Sequence, residues 1–166
     1  MLLQSDIIDV RSTAAEDLDF VLAAERDGLN SRYVGKWSRE QHAGALSDKD
    51  TVHLIVLNKA GERAGYVILT GLQDPNLTVC IKRIVIQAKG RGYGTRLLAM
   101  LSSWVFTYTD THRLWLDVKD HNARAQHVYA KAGFKPEGTL RECVRTEDGF
   151  DSLMIMSILR QEYGNG

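Results

Sequence analysis

Proline, cysteine and long apolar runs are all scarce in this chain of 166 residues, and each shortage excludes a class of protein. The two cysteines, Cys80 and Cys143, have no CxxC spacing and are too few for a disulfide framework, which is typical of a reducing compartment. No window approaches the ~20 apolar residues of a membrane-spanning helix, and the first residues lack a basic and then apolar leader. We therefore expect a soluble, cytoplasmic protein with no membrane partner.

An excess of charge of either sign is also absent. Lys plus Arg and Asp plus Glu each number 21, so the formal net charge is zero. A balanced chain has no global field that attracts nucleic acid, so we expect no nucleic-acid partner. The histidines lack HExxH or any comparable ligand spacing, and we expect no metal.

The order of periodic segments predicts the fold class. With 44% hydrophobic residues, two prolines and no internal repeat, residues 1–166 are expected to form one domain. The apolar periodicities predict the order β-α-α-β-β-β-α-β-α-β-β, an α/β (α+β) mixed sheet covered by helices. The first strand is predicted from Asp6 to Arg11, and a Thr13–Glu16 capping box is predicted to open the first helix. This order excludes a regularly alternating doubly wound domain.

Residues 87–96, QAKGRGYGTR, lie between a predicted strand and the longest predicted helix; we call this segment the glycine turn. Glycines at 90, 92 and 94 remove side chains where backbone N–H groups can converge, and the helix adds its own free N–H groups and positive dipole end. Such an arrangement binds a diphosphate. The spacing is neither GxxxxGK[ST] nor GxGxxG, which excludes those two nucleotide-binding classes. From the turn alone, tight packing of the helix on its strand explains the glycines equally well.

A second pattern lies downstream, where Asn122 and Tyr129 are seven residues apart. On a helix these two residues lie on one face, about 10 Å apart along the axis. Each also has an ordinary structural role, Asn122 as a helix N-cap and Tyr129 as a core aromatic residue. If both face the same ligand, one extended molecule contacts both.

Together, the two patterns resemble a known family. The run Lys89-Gly90-Arg91-Gly92-Tyr93-Gly94, behind the apolar strand Ile84-Val85-Ile86, resembles the [QR]-x-x-G-x-[GA] signature of the GNAT superfamily of acetyl-CoA-dependent N-acetyltransferases, with Lys in place of the usual Gln or Arg. Residues 116–134 resemble the family stretch V-x-x-x-N-x-x-A-x-x-x-Y-x-x-x-G-F, and residues 133–159 resemble the branch with spermidine and ribosomal-protein N-terminal acetyltransferases. The resemblance implies a GNAT-like fold, with a largely antiparallel central sheet and helices on both faces.

The resemblance also implies acetyl-CoA as cosubstrate and an amine as acceptor. Tyr129 is implied as the general acid, because a phenol with a pKa of about 10 stays protonated at neutral pH and can donate to a departing thiolate. Tyr33 and Trp37 are implied to lie near the acceptor, although loop packing explains them equally well. The implied cofactor contacts are Ile84, Val85 and Ile86 on the strand, Arg91, Gly92, Tyr93, Gly94 and Thr95 in the glycine turn, and Asn122 and Lys131 on the later helix.

The sequence leaves several points open. An acceptor ammonium must lose a proton before it attacks, yet Cys80 occupies the strand position where some relatives have a Glu. The remaining candidates for a water-mediated base are Asp117, Glu142 and Glu147. A non-catalytic acyl-CoA-binding or sensor domain is the alternative function. The identity of the acceptor is open, and so is the oligomeric state, with a homodimer as one expectation.

Overall fold

The computed structural model describes residues 2–28, 30 and 35–164, and its strands form one eight-stranded sheet in the order β1-β2-β3-β4-β5-β6-β8-β7. All neighbouring strands are antiparallel except β5 and β6, which are parallel. The strand bounds are β1 (Leu2–Gln4), β2 (Ile8–Ser12), β3 (Thr51–Asn58), β4 (Arg63–Thr70), β5 (Thr78–Ile86), β6 (Arg113–Lys119), β7 (Lys135–Thr146) and β8 (Gly149–Leu159).

Helices cover both faces of this sheet. Alternate side chains of β3 enter two different cores, because successive residues of a strand point to opposite faces. Leu54 and Val56 join a core with Leu97 of α3 (Tyr93–Tyr108), whereas Ile55 joins a core with Val21 of α1 (Leu18–Arg26). The predicted fold class is confirmed. The helix bounds are α1 (Leu18–Arg26), α2 (Arg39–Ala45), α3 (Tyr93–Tyr108) and α4 (Ala123–Lys131), with a 3₁₀ turn at Ala15–Asp17. In the described ranges, no helix is long and apolar enough to cross a membrane.

The N-terminal region differs from the prediction in two details. A short strand, β1, precedes the predicted one and pairs with β2, which runs over Ile8–Ser12. The Thr13–Glu16 capping box is wrong: the hydroxyl of Thr13 is hydrogen-bonded to Nδ1 of His53 at 2.8 Å. Asp17 instead accepts from the backbone N of Ala14 at 2.8 Å. The long-range partner His53 therefore replaces the local one.

The sheet parts at its centre, between the two parallel strands. β5 and β6 pair over three residues only, ending at Cys80 and Trp115, and beyond that point β5 pairs only with β4. Opposite two successive residues of β4 lie Ile81 and Arg83, so Lys82 is an extra residue that forms a bulge. A bulge bends and twists its strand. The parting coincides with this bulge and leaves an open cleft between β5 and β6.

Candidate active site

Two cavities occupy the cleft where the sheet parts. The first cavity, of about 480 Å³, lies between β5, the glycine turn and the beginnings of α3 and α4. The second cavity, of about 290 Å³, lies between β5, β6 and the β7–β8 hairpin. Ile84, Asn122 and Tyr129 line both cavities. The two cavities are therefore neighbouring parts of one site.

The glycine turn presents free backbone amides to the first cavity. Gly90 and Gly92 have φ values of 77° and 74°, a left-handed conformation that glycine adopts without strain. Gly92 is the N-cap of α3, and its carbonyl accepts from the amide of Arg96 at 3.1 Å. Among the described residues, no carbonyl accepts a hydrogen bond from the amides of residues 90–95, and all of these residues line the cavity. The first turn of a helix leaves such amides available to an anion.

The open edge of β5 presents a second set of backbone groups. The amide of Gln87 donates to the carbonyl of Ala64 in the direction of β4, at 2.8 Å. Because amide directions alternate along a strand, the amide of Val85 also faces β4, whereas those of Ile84 and Ile86 face the open edge. An extended ligand can pair with this edge as an added strand does.

Asn122 and Tyr129 lie on the same side of α4, as their spacing predicted. Asn122 is the N-cap, with its Oδ1 accepting from the amide of Ala125 at 3.2 Å, and it lines the cleft as well. Within the described ranges the hydroxyl of Tyr129 has no hydrogen-bond partner. Burial, with a further contribution from the charge of Asp117, raises the pKa of Tyr129 to about 12. Tyr129 therefore carries its proton at neutral pH and faces the site.

A family model described as the acetyltransferase (GNAT) family matches residues 18–134. The chain belongs to this family. It is 26% identical to spermidine N(1)-acetyltransferase of Escherichia coli (strain K12), covering 94% of this chain and 88% of the relative. It is 29% identical to a Bacillus subtilis (strain 168) protein provisionally assigned as an alanine N-acetyltransferase of ribosomal protein bS18, covering 88% of this chain and 92% of the relative.

Solved structures extend the likeness to the whole fold. The crystal structure of spermidine N-acetyltransferase from Vibrio cholerae in complex with CoA and spermine superimposes with a TM-score of 0.85 at 22% identity, covering 94% of this chain and 97% of that one. The sequence-based interpretation as a GNAT N-acetyltransferase is thereby confirmed, and members of this family use acetyl-CoA.

Some residues predicted for the GNAT site lie away from the two cavities. Lys131 is exposed in the last turn of α4 and lines neither. Trp37 packs beneath Arg83, whose guanidinium carbon is 5.0 Å from the ring centroid. Tyr33 falls outside the described residues. Of the candidate bases, Asp117 lines the second cavity, whereas Glu142 and Glu147 line neither.

The sequence reasoning missed two polar residues of the first cavity, Asn30 and Arg124, and also Arg83 of the second. Asn30 lines the first cavity, where its Oδ1 accepts from Lys89 Nζ at 2.7 Å and its Nδ2 donates to Gln87 at 2.8 Å. Arg124 also lines this cavity, in the first turn of α4, and no spacing in the sequence singled it out. Burial and then the charge of Arg124 lower the pKa of Lys89. Lys89 and Arg124 both line the first cavity and give it positive charge.

Cysteine chemistry and metal chemistry gain no support from the geometry of this GNAT member. Cys80 is buried, and burial is the main cause that raises the pKa of its thiol to about 12, so the reactive thiolate is scarce. Cys143 is exposed at the sheet edge. In the part of the chain that the structure describes, no three His, Cys, Asp or Glu side chains are grouped to hold a metal ion.

Proposed function

We propose that the protein transfers the acetyl group of acetyl-CoA directly to a primary amine of a small molecule or a protein N-terminus. The observation that carries this proposal is the continuity of the cleft. Free amides of the glycine turn, the open edge of β5 and the protonated Tyr129 all face it. A direct transfer needs both substrates bound at once, and two adjoining cavities allow a ternary complex.

The first cavity fits the cosubstrate, which supplies an activated acetyl group when bound. The amides of residues 91–95 are placed to hold its diphosphate, with Arg91 and Arg124 adding positive charge nearby. The backbone of Ile84 and Ile86 is placed to pair with its extended arm. The amide of Val85 faces β4 and is not available to the cosubstrate. Val85 therefore contributes only to the wall of the first cavity. We assign no contact to Lys131, which lies outside the cavity.

The remaining chemistry belongs to three groups in the two cavities: the backbone amide of Ile86 in the first, the side chain of Asp117 in the second, and Tyr129, which lines both. The amide of Ile86 faces the open edge and can stabilise negative charge that develops on the carbonyl oxygen. Tyr129 donates its proton to the departing thiolate sulfur. Burial raises the pKa of Asp117, which makes this carboxylate a better base than an ordinary aspartate. We propose that Asp117 removes the proton of the acceptor ammonium through water.

The relatives do not identify the acceptor, because one acts on spermidine and another is assigned to a protein N-terminus. We propose a cytoplasmic location, since both cysteines are free thiols, as is usual in a reducing compartment. We also propose that residues 1–166 act as one domain, since all eight strands belong to one sheet.

Release of free CoA thiol tests the proposed reaction. Purified protein is incubated with acetyl-CoA and a panel of amines, and Tyr129→Phe is compared with the wild type. We predict that the variant binds acetyl-CoA normally and loses about 100-fold in kcat, because general acid catalysis contributes about that much. Tyr108→Phe is the matched control, since Tyr108 is 75% exposed at the end of α3.

Two outcomes would count against this proposal. Full turnover by Tyr129→Phe would remove the general acid. Binding of acetyl-CoA without thiol release from any amine would favour the alternative, a non-catalytic acyl-CoA-binding or sensor domain.

A further inference from the structure

A buried arginine forms part of the wall of the second cavity. Arg83 is only 9% exposed, yet it lines this cavity together with Gly35. Its Nη1 donates to Oε1 of Glu25 at 2.7 Å, and its guanidinium group covers the ring of Trp37. Its Nη2 lies so close to Gly35 that a Cβ atom there would be 2.9 Å from it. Among the described residues, Nη2 and Nε have no hydrogen-bond acceptor.

A buried polar network fixes the orientation of Arg83. Oε1 of Glu25 also accepts from the hydroxyl of Tyr66 at 2.7 Å and is 2.9 Å from Nε2 of His42, which in turn is hydrogen-bonded to His53 at 3.0 Å. Burial alone would raise the pKa of Glu25, but the hydrogen bonds from His42 and Tyr66 and the charges of His42 and Arg83 outweigh it and lower the pKa to about 2. Glu25 is therefore ionised at neutral pH and holds one arm of the guanidinium.

The charges around Arg83 do not suit a polycation. Among the described residues, Asp117 is the only carboxylate that lines the second cavity. Lys82 and Lys119 line it as well, and Lys119 is bound to Asp151 at 3.1 Å. A polyamine carries several ammonium groups and gains affinity from several carboxylates along its length, whereas Lys82 repels it and Arg83, which is paired with Glu25, offers it no acceptor. Asp117 can receive one ammonium, and the cations can receive one anion.

We propose that Arg83 binds a carboxylate of the acceptor, so that the acceptor is a small amine that also carries a carboxylate, such as an amino acid. This inference rests on the proposed acetyl transfer. The planar fork of an arginine matches a carboxylate with two parallel donors. Because Glu25 and Trp37 already hold the guanidinium, little conformational freedom is lost when the acceptor binds. Arg83 is a specificity-determining residue in this account, and it takes no part in proton transfer.

Matched pairs of amines that differ by one carboxylate test this inference. Lysine is compared with cadaverine and ornithine with putrescine, each at saturating acetyl-CoA. We expect a higher kcat/KM for the carboxylate-bearing member of each pair, by about 10-fold or more, since a charge-assisted hydrogen bond supplies about that factor. The preference should lie mainly in KM, because the contact between Arg83 and the carboxylate is the same before and during the transfer.

Variants then assign the preference to its residues. Arg83→Lys keeps the positive charge beside Glu25 but removes the second donor arm. We expect it to bring the ratio of the two kcat/KM values within each pair close to one. Lys82→Gln leaves the buried network intact and should lower the ratio by about 2-fold to 5-fold, as expected for an exposed charge. Lys49→Gln, an exposed cation between α2 and β3, is the control and should leave the ratio unchanged.

The outcomes separate the two proposals. Equal or better acetylation of cadaverine and putrescine would overturn the inference and leave acetyl transfer standing. If no member of any pair is acetylated, the proposed acetyl transfer fails for these amines, and calorimetric binding of each pair to the CoA-bound protein decides the inference. In that case tighter binding of lysine than cadaverine supports it, and the reverse order overturns it.

Discussion

At the scale of single residues, burial and specific partners compete to set the charge of the ionisable groups. Tyr129 has no hydrogen-bond partner among the described residues, so burial is the main influence and raises its pKa. Glu25 is more deeply buried than Tyr129, but its partners His42, Tyr66 and Arg83 outweigh the cost of burial and lower its pKa. The first residue is therefore kept neutral, as its proposed role of proton donor requires, and the second is kept charged and holds Arg83.

The raised pKa of Tyr129 predicts the alkaline side of the pH profile. The pKa rises from about 10 in an ordinary tyrosine to about 12 here, so the phenol keeps its proton well above neutral pH. We predict that kcat at saturating amine does not fall between about pH 8 and about pH 10.5, where an unshifted tyrosine would lose most of its proton. The profile is measured by thiol release, with circular dichroism to check folding at each pH. A fall in kcat with a midpoint near pH 10 would contradict the assignment.

Single residues also show what the sequence could and could not predict. The seven-residue spacing of Asn122 and Tyr129 was sufficient to place both on one face, because helix geometry is local. The contact of Glu25 with Arg83 joins residues 58 apart in the chain, and no local pattern encodes it. Thr13 illustrates the same limit, since its hydroxyl bonds to a strand 40 residues away.

At the scale of secondary-structure elements, the glycine turn and α3 act as a unit. The left-handed Gly92 lies within the glycine turn and caps α3, so that consecutive free amides face the first cavity. This element was predictable, because its glycines and the change of period are both visible in the sequence. β1 was missed because three residues show no period, and the bulge at Lys82 was missed because it depends on pairing with β4.

Substitutions at Gly92 test whether the turn binds an anion. Among the described residues, and apart from the residues adjacent to Gly92 in the chain, no atom lies within 4 Å of a Cβ placed on Gly92, and both Asn and Asp tolerate a left-handed conformation. We predict that Gly92→Asp weakens acetyl-CoA binding by about 10-fold or more relative to Gly92→Asn, because only the carboxylate repels a diphosphate. Calorimetry with purified variants measures both Kd values. Equal Kd values for the two variants would place the diphosphate elsewhere.

At the scale of the whole molecule, the parting of the sheet creates the site. A mixed sheet covered by helices was predicted from the order of elements, and the GNAT resemblance implied helices on both faces; the strands of the described residues do form one sheet. The position of the parting was not predictable, since it depends on where β5 stops pairing with β6. We propose that the two substrates meet in this cleft, beside Tyr129, which lines both cavities.

We propose that backbone amides beside this parting bind the cosubstrate. Amide hydrogen exchange, followed residue by residue by NMR with and without acetyl-CoA, tests it most directly. We predict that exchange slows by about 10-fold or more at Ile84, Ile86 and residues 91–95, because each amide gains an acceptor, while β1 and β7 at the sheet edges stay unchanged. Saturating acetyl-CoA that leaves the amides of residues 91–95 exchanging at their free rate would contradict the account.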